Sequence, residues 1–174
     1  IAECISKSET LDLDELNQIA IKNDQPLLPI QVYYIDYQLY SPDKVATNHP
    51  VFITMKNDSE TLLKLKDAFN KLLHNFSVFG SIILLNDKEK YVLHYQSDII
   101  KDVEIAYVSE DDIENIKKDI VKLDFIFNNL LYKFKICVTE EHIYLLLVFN
   151  HILFDGKAIC NTIKNLYLYM DGKQ

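Results

Sequence analysis

Residues 142–156 read HIYLLLVFNHILFDG and carry the clearest structural signal in this chain. The first part of this stretch, His142 to Phe149, is continuously apolar, as expected for a central strand that is covered on both sides of a sheet. Asn150 to Gly156 then leaves the strand. A helix is predicted over residues 157–170, where one face carries Ile159, Ile163, Leu166, Tyr167 and Met170. The stretch therefore predicts a buried strand, a short loop and a helix that packs back on the sheet.

Further strands and helices are predicted on the N-terminal side of this stretch. Strand patterns cover residues 51–55, 78–85, 91–95, 103–108 and 132–138, and helical patterns cover residues 30–39, 59–73 and 113–120. Ser59 is a candidate N-cap of the second helix, and residues 86–88 are suited to the turn of a β-hairpin. Together the elements predict an α/β fold, a two-layer sandwich with a mixed sheet flanked by helices.

The length of 174 residues suits one domain or one large lobe. Residues 1–25 are acidic and weakly patterned, and we interpret them as a leader or linker with at most a short helix. The apolar side chains of that helix would be Leu11, Leu13, Leu16 and Ile19. The folded unit is then predicted to span residues 26–174.

The charge of the chain argues against a nucleic-acid or membrane-surface partner. The net charge is −8, all 18 basic residues are Lys, and no Arg is present, so no guanidinium can bind a carboxylate or phosphate in two-pronged fashion. Three cysteines, Cys4, Cys137 and Cys160, lack metal-ligand spacing and are expected to be free thiols in a reducing compartment. The sequence shows no signal peptide and no apolar run of membrane-spanning length, which predicts a cytoplasmic location.

His151 is the candidate catalytic residue. It follows directly on the predicted buried strand, and Asp155 and Gly156 come four and five residues later. Reactive groups of α/β proteins are commonly placed at the ends of central strands, and a neutral imidazole there can accept a proton. On this motif alone, a structural histidine at the strand end followed by an Asp-Gly turn is the favoured interpretation. The remaining histidines, His49, His74, His94 and His142, have no mutual metal-ligand spacing and are predicted to be ordinary surface or core residues.

The motif His151-x-x-x-Asp155-Gly156 resembles the H-H-x-x-x-D-G hallmark of condensation domains in nonribosomal peptide synthetases. Four other segments resemble family elements in the same order. They are residues 27–31 (opening S-P-A-Q element), 68–73 (helix before the R-H-x-x-L-R segment), 124–134 (P-F-D-L followed by G-P-L-x-R-V) and 166–172 (helix and turn that end the first lobe). The resemblance covers residues 26–174 and implies a lobe like those of chloramphenicol acetyltransferase, two of which form a V in the complete domain.

The resemblance also implies a function in secondary-metabolite biosynthesis. The chain would be the N-terminal lobe of a domain that joins an acceptor amine to a carrier-bound aminoacyl or peptidyl thioester, with the C-terminal lobe absent. His151 would be the base or amine-positioning residue, Asp155 would hold the loop, and Gly156 would leave room near the new amide. No directly bound cofactor is implied, because the substrates ride on the phosphopantetheine arms of carrier proteins. The isolated lobe is expected to be inactive and to self-associate through its exposed lobe face.

Two departures from the family pattern keep other hypotheses open. Asn150 stands where the family has its first hallmark His, and the family's Arg partner for the hallmark Asp has no counterpart, so Asp155 is expected to bind backbone N–H groups, a Lys or His74. One alternative is a fragment of a coenzyme A-dependent acyltransferase. The other is a degenerate, non-catalytic scaffold or carrier-docking lobe.

Overall fold

The structure is a computed structural model that describes residues 24–124 and 127–173. The predicted short helix with Leu11, Leu13, Leu16 and Ile19 lies outside the described residues. Cys4 and Phe125, the latter part of the segment 124–134 that resembles the family, lie outside them as well. The strands are β1 (Gln25–Pro26), β2 (Asn48–Lys56), β3 (Ser81–Leu85), β4 (Tyr91–Tyr95), β5 (Glu104–Tyr107), β6 (Tyr132–Val138) and β7 (His142–Asn150). The helices are α1 (Pro29–Tyr40), α2 (Ser59–Asn75), α3 (Ile113–Ile120) and α4 (Gly156–Met170).

The main sheet has four strands in the order β2-β7-β6-β5. Strand β7 pairs antiparallel with both β2 and β6, and β5 pairs parallel with β6, so the sheet is mixed as predicted. Strand β2 lies at one edge of the sheet, where its Pro50 is tolerated because an edge strand has one side without ladder hydrogen bonds. The predicted central position of residues 142–149 is therefore confirmed.

Alternate side chains of β7 enter two separate cores. Ile143, Leu145, Leu147 and Phe149 pack in the larger core with the buried faces of α2 and α4. Tyr144, Leu146 and Val148 pack on the opposite side against Ile113 and Ile120 of α3. Helices cover both faces of β7, which explains why the residues on both faces of the strand are apolar.

A smaller sheet, in the order β1-β4-β3, carries α1 and a third cluster of buried side chains. Ile35 of α1, Ile83 of β3, Leu131 and Ile152 form this cluster, and each is at most 2% exposed. Ile152 belongs to the loop that follows β7. The third cluster therefore packs α1 against the loop that contains His151.

Two boundaries differ from the sequence-based predictions. The N-cap of α2 is Asp58, whose carboxylate accepts a hydrogen bond from the Thr61 backbone N–H at 2.8 Å; Ser59 is already the first helical residue. Strand β3 begins at Ser81 rather than Val78, because residues 77–80 form a 3₁₀ turn that places Phe79 in the core against the rings of Phe134 and Phe154. An apolar run does not distinguish such a buried turn from a strand.

Helix α3 spans the residues over which the sequence predicts it. Residues 110–112 form a 3₁₀ turn before this helix, and the Ser109 side chain, which donates a hydrogen bond to the Asp112 carboxylate, does not cap the helix backbone. The remaining strand and helix predictions agree with the structure to within a few residues at their ends, as expected for boundaries read from sequence.

Among residues 24–124 and 127–173, no helix combines the length and the apolar character that crossing a membrane requires.

Candidate functional site

The candidate site is the loop between β7 and α4. Asn150 is the last residue of β7, residues 151–153 form a turn, and α4 begins at Gly156. The turn is closed by the backbone N–H groups of Leu153 and Phe154, which donate to the Asn150 carbonyl at 3.2 and 3.1 Å. His151 thus lies directly beyond the end of the central strand, where the sequence placed it.

The side chain of Asn150 is completely buried and sits within hydrogen-bond distance of four groups. Its Nδ2 lies 3.1 Å from each of three side-chain oxygens, those of Gln38, Thr47 and Asn48. Its Oδ1 accepts a hydrogen bond from the Ile152 backbone N–H at 3.0 Å. The amide therefore links α1, the start of β2 and the loop, and its buried polar atoms are satisfied.

The loop is also held through its backbone. The His151 N–H donates to the Thr47 carbonyl at 2.8 Å, and Gln31 of α1 donates from Nε2 to the Ile152 carbonyl at 3.0 Å. The Oε1 of Gln31 in turn accepts from the Leu28 N–H at 2.9 Å. Gln31 is part of the opening element in the resemblance described above, and the structure brings it to the candidate site across 121 residues of sequence.

The hydrogen bond of the His151 ring determines which nitrogen can act as a base. Nδ1 lies 3.2 Å from the Phe154 carbonyl oxygen. A carbonyl only accepts hydrogen bonds, so in the neutral imidazole Nδ1 carries the hydrogen and Nε2 keeps its lone pair. Partly exposed at the end of β7, His151 has the tautomer in which Nε2 can accept a proton.

His49 is a neighbour of His151 that the sequence analysis missed. The two ring centroids are 4.6 Å apart with planes at 89°, and the Tyr34 ring lies 4.5 Å from His151 at 33°. The prediction that His49 is an ordinary surface or core residue overlooked this contact, because the pairing of β2 with β7 that sets His49 opposite Phe149 has no local signature in the sequence.

The pKa of His49 is lowered from its ordinary value of 6.5, first by burial and then by the neighbouring His151. Its Nε2 is buried and has no hydrogen-bond partner among the described residues. Protonation would place an N–H there without an acceptor and a positive charge next to a second imidazole. His49 is therefore neutral at pH 7.

Asp155 is the N-cap of α4 and not part of an Asp-Gly turn. Its Oδ1 accepts a hydrogen bond from the Ala158 N–H at 2.7 Å. Of the three partners that we expected for Asp155, which were the backbone, a Lys and His74, the structure therefore shows the backbone. His74 instead faces Asp102, at 3.9 Å, and no Lys within the described residues pairs with Asp155. Gly156 is the first residue of α4, has no positive φ, and has open space where a Cβ would lie. The local backbone thus does not require glycine at this position, which corrects the turn interpretation.

The other groups considered in the sequence do not assemble at this site. Within the described part of the chain, no three His, Cys, Asp or Glu residues lie close enough to form a metal site. Cys137 is a buried free thiol of β6 whose pKa is raised chiefly by burial, and Cys160 is an exposed free thiol on α4. Cys137 therefore lacks the lowered pKa and the exposed setting of a cysteine nucleophile.

Comparison with solved structures identifies the fold as that of one lobe of a condensation domain. The structure is similar to the condensation domain of the Monacolin K polyketide synthase MokA, with a TM-score of 0.75, 13% identity, and coverage of 87% of this chain and 35% of that one. The tallysomycin biosynthesis protein TlmII matches with a TM-score of 0.73 and 10% identity over 87% of this chain and 38% of its own. The X-domain in complex with OxyB from teicoplanin biosynthesis matches with a TM-score of 0.70 and 12% identity over 85% of this chain and 32% of its own.

These identities show the fold alone. The chain covers between 30% and 42% of the length of such neighbours, so it corresponds to a part of each. No protein-family model matches the chain, and no curated protein matches it in sequence.

The Asn150 network predicts a specific loss of stability. Asn150→Ala should lower the free energy of unfolding by about 1–3 kcal/mol, because the Ile152 N–H and the side-chain oxygens of the buried Gln38 and Thr47 and the partly buried Asn48 lose a partner. Asn161→Ala, at an exposed position of α4, is the matched control and should change it by less than about 0.5 kcal/mol. Urea unfolding of both variants checks this; equal effects would contradict the structural role of Asn150.

The cap of α4 predicts that Asp155 acts through loop stability. Asp155→Ala should lower the free energy of unfolding by about 0.5–2 kcal/mol, and Asp155→Asn, which can still accept from the Ala158 N–H, should restore most of it. Thermal unfolding at pH 7 measures both. A loss in Asp155→Asn as large as in Asp155→Ala would indicate that the charge, and not the cap, is required.

Proposed function

We propose that this chain is the N-terminal lobe of a condensation domain of the nonribosomal-peptide type, and that it takes part in amide-bond formation. The observation that carries the proposal is the position of His151: it follows the central strand of a condensation-domain fold, and its Nδ1 lies 3.2 Å from the Phe154 carbonyl oxygen, which favours the tautomer with Nε2 free. An acceptor amine and a carrier-bound aminoacyl or peptidyl thioester would be the substrates.

The reaction needs one proton acceptor and one leaving group. The amine nitrogen attacks the thioester carbonyl, its proton passes to Nε2 of His151, and collapse of the tetrahedral intermediate breaks the C–S bond. The proton then leaves with the phosphopantetheine thiol, which returns His151 to its neutral form. An imidazole with one free lone pair supplies this proton transfer near neutral pH. In the alternative version of this scheme, His151 positions the amine for attack.

Asn150 and Asp155 would support the loop rather than contact substrate. Asn150 takes the place of a histidine in the resemblance, and its buried amide can hold the loop as a hydrogen-bonding side chain there would. Asp155 fixes the start of α4. The open space next to Gly156 is compatible with a substrate amide passing close to the backbone.

The proposed partners are a second lobe and carrier proteins in the cytoplasm. Phosphopantetheine enters as part of the substrates and not as a resident cofactor. One wall of a substrate channel is expected from this lobe and the other from a C-terminal lobe. On its own, the lobe is then expected to bind substrate poorly and to turn over slowly.

A non-catalytic docking lobe is the second candidate function. It is favoured by the exposed, largely aromatic face of α1, on which Ile30, Tyr33, Tyr37 and Tyr40 are each between 43% and 85% exposed. We call these four residues the α1 face. A condensation-like X-domain is in complex with OxyB in one structural neighbour, so this fold serves as a binding partner in that case. A coenzyme A-dependent acyltransferase would use the same histidine chemistry, but no feature of the described residues favours it.

The catalytic proposal predicts a large loss of turnover on removal of the imidazole. His151→Ala in the full-length gene product should slow amide formation by roughly 10²- to 10⁴-fold, the usual contribution of a general base. The assay loads both carrier proteins with aminoacyl groups and follows dipeptidyl product by mass spectrometry. His74→Ala, at an exposed position on α2, is the control and should retain turnover. Unchanged turnover in His151→Ala would remove the catalytic proposal and leave the docking function.

The α1 face predicts self-association of the isolated lobe. Apolar patches of this kind commonly mark interaction sites, and a stable contact should bury at least about 1,000 Å² in total. Sedimentation of the chain should show a dimer that the double substitution Tyr33→Ser and Tyr37→Ser abolishes. The control is Tyr107→Ser, on the exposed face of β5. A monomer at high concentration would contradict the prediction, as would a dimer that persists in the double variant.

A further inference from the structure

The His151 ring contacts side chains or backbone from three different parts of the chain. Its Nδ1 meets the Phe154 carbonyl within its own loop, Tyr34 of α1 lies at a tilt of 33° with a centroid distance of 4.5 Å, and His49 of β2 stands perpendicular to it at 4.6 Å. Ring separations of this size lie in the range of favourable aromatic pairs.

The hydrogen bond alone does not fix the orientation of the imidazole. At 3.2 Å it is at the long end of the N–H···O range, and the χ2 torsion of histidine is broad. Rotation about χ2 would exchange the positions of Nδ1 and the ring carbon Cδ2. Such a rotation would break the contact with the Phe154 carbonyl, and with it the preference for the Nδ1–H tautomer. The two ring contacts restrict this rotation.

The backbone of His49 is held in place by strand pairing. Its backbone lies in β2 opposite Phe149 of the central strand, and two residues earlier the Thr47 carbonyl accepts the His151 N–H at 2.8 Å. The backbone and the ring of His151 are thus both tied to the start of β2. A neutral His49 can stand edge-on to His151 as an uncharged aromatic ring. A cationic side chain at this position would oppose proton transfer to His151, because it would repel the positive charge that forms there.

We propose that His49 is a positioning residue, whose ring, together with that of Tyr34, holds the His151 imidazole with Nδ1–H on the Phe154 carbonyl and Nε2 as the proton acceptor. This deepens the proposed function and rests on it for its catalytic consequence. The orientation of the His151 ring by His49 does not depend on whether His151 takes part in catalysis, so it can be tested separately. The effect of His49 is attributed to its aromatic ring, so phenylalanine should replace it and an aliphatic residue should not.

The first test measures the tautomer of His151 directly. Two-bond ¹H–¹⁵N correlation spectra of the ¹⁵N-histidine-labelled chain, with the His151 signals assigned by their loss in His151→Ala, should show the Nδ1–H form. His49→Phe should leave that pattern unchanged, and His49→Val, which suits a strand, should give averaged or exchange-broadened signals. His49→Ala serves in its place if the valine variant does not fold, and His74→Ala is the control with no expected change. An unaltered His151 spectrum in the folded aliphatic variant would overturn the proposal.

The second test measures the consequence for catalysis in the full-length gene product. We expect His49→Val to lower kcat about 3- to 10-fold with little change in KM, a loss of the size that one aromatic contact can produce. His49→Phe should restore kcat. Equal losses in both variants would overturn a positioning role that depends on the ring. If His151→Ala leaves turnover unchanged, the proposed function fails, and the tautomer spectra still decide whether His49 orients His151.

Discussion

The rest of the candidate site depends on the buried amide of Asn150. This side chain is inaccessible to water, and it lies within hydrogen-bond distance of α1 through Gln38, the start of β2 through Thr47 and Asn48, and the loop through the Ile152 N–H. A buried polar group is stable only when it has partners. The network therefore constrains three elements at once, because a shift of α1 or of β2 would leave buried hydrogen-bond donors and acceptors without partners.

The site is built from neutral contacts in a chain that contains no arginine. A guanidinium would hold a carboxylate by paired, charge-assisted hydrogen bonds, whereas the lysine ammonium is a compact and strongly hydrated charge. In this chain the Asp155 carboxylate remains exposed and accepts from the backbone of α4, and the interior of the loop is held by amide groups. The site is thereby ordered without the desolvation of any charged side chain, a cost that buried ion pairs do not always recover.

Sequence patterns predicted those parts of the fold that are determined locally. The unbroken apolar run of β7, the helical spacing in α2 and α4 and the turn chemistry of the β3–β4 hairpin all report on residues that are neighbours along the chain. The 3₁₀ turn at residues 77–80 escaped prediction, because burial of Phe79 gives it the composition of a strand. His49 escaped as well, because its place beside His151 follows from the pairing of β2 with β7, strands separated by 85 residues of sequence, and from no local motif.

The supports of His151 all belong to this one lobe, which separates two requirements of the proposed reaction. Phe154, Tyr34 and His49 contact the imidazole from the loop, α1 and β2. In the proposed reaction, substrate positioning would in addition require groups on the far side of the ring, which the proposal assigns to a second lobe. Because proximity and orientation of the two reactants account for a large share of catalysis in such transfers, an oriented base by itself gives little turnover. Under the proposed function, the single lobe would supply an oriented proton acceptor, and turnover would depend on what covers the partly exposed side of His151.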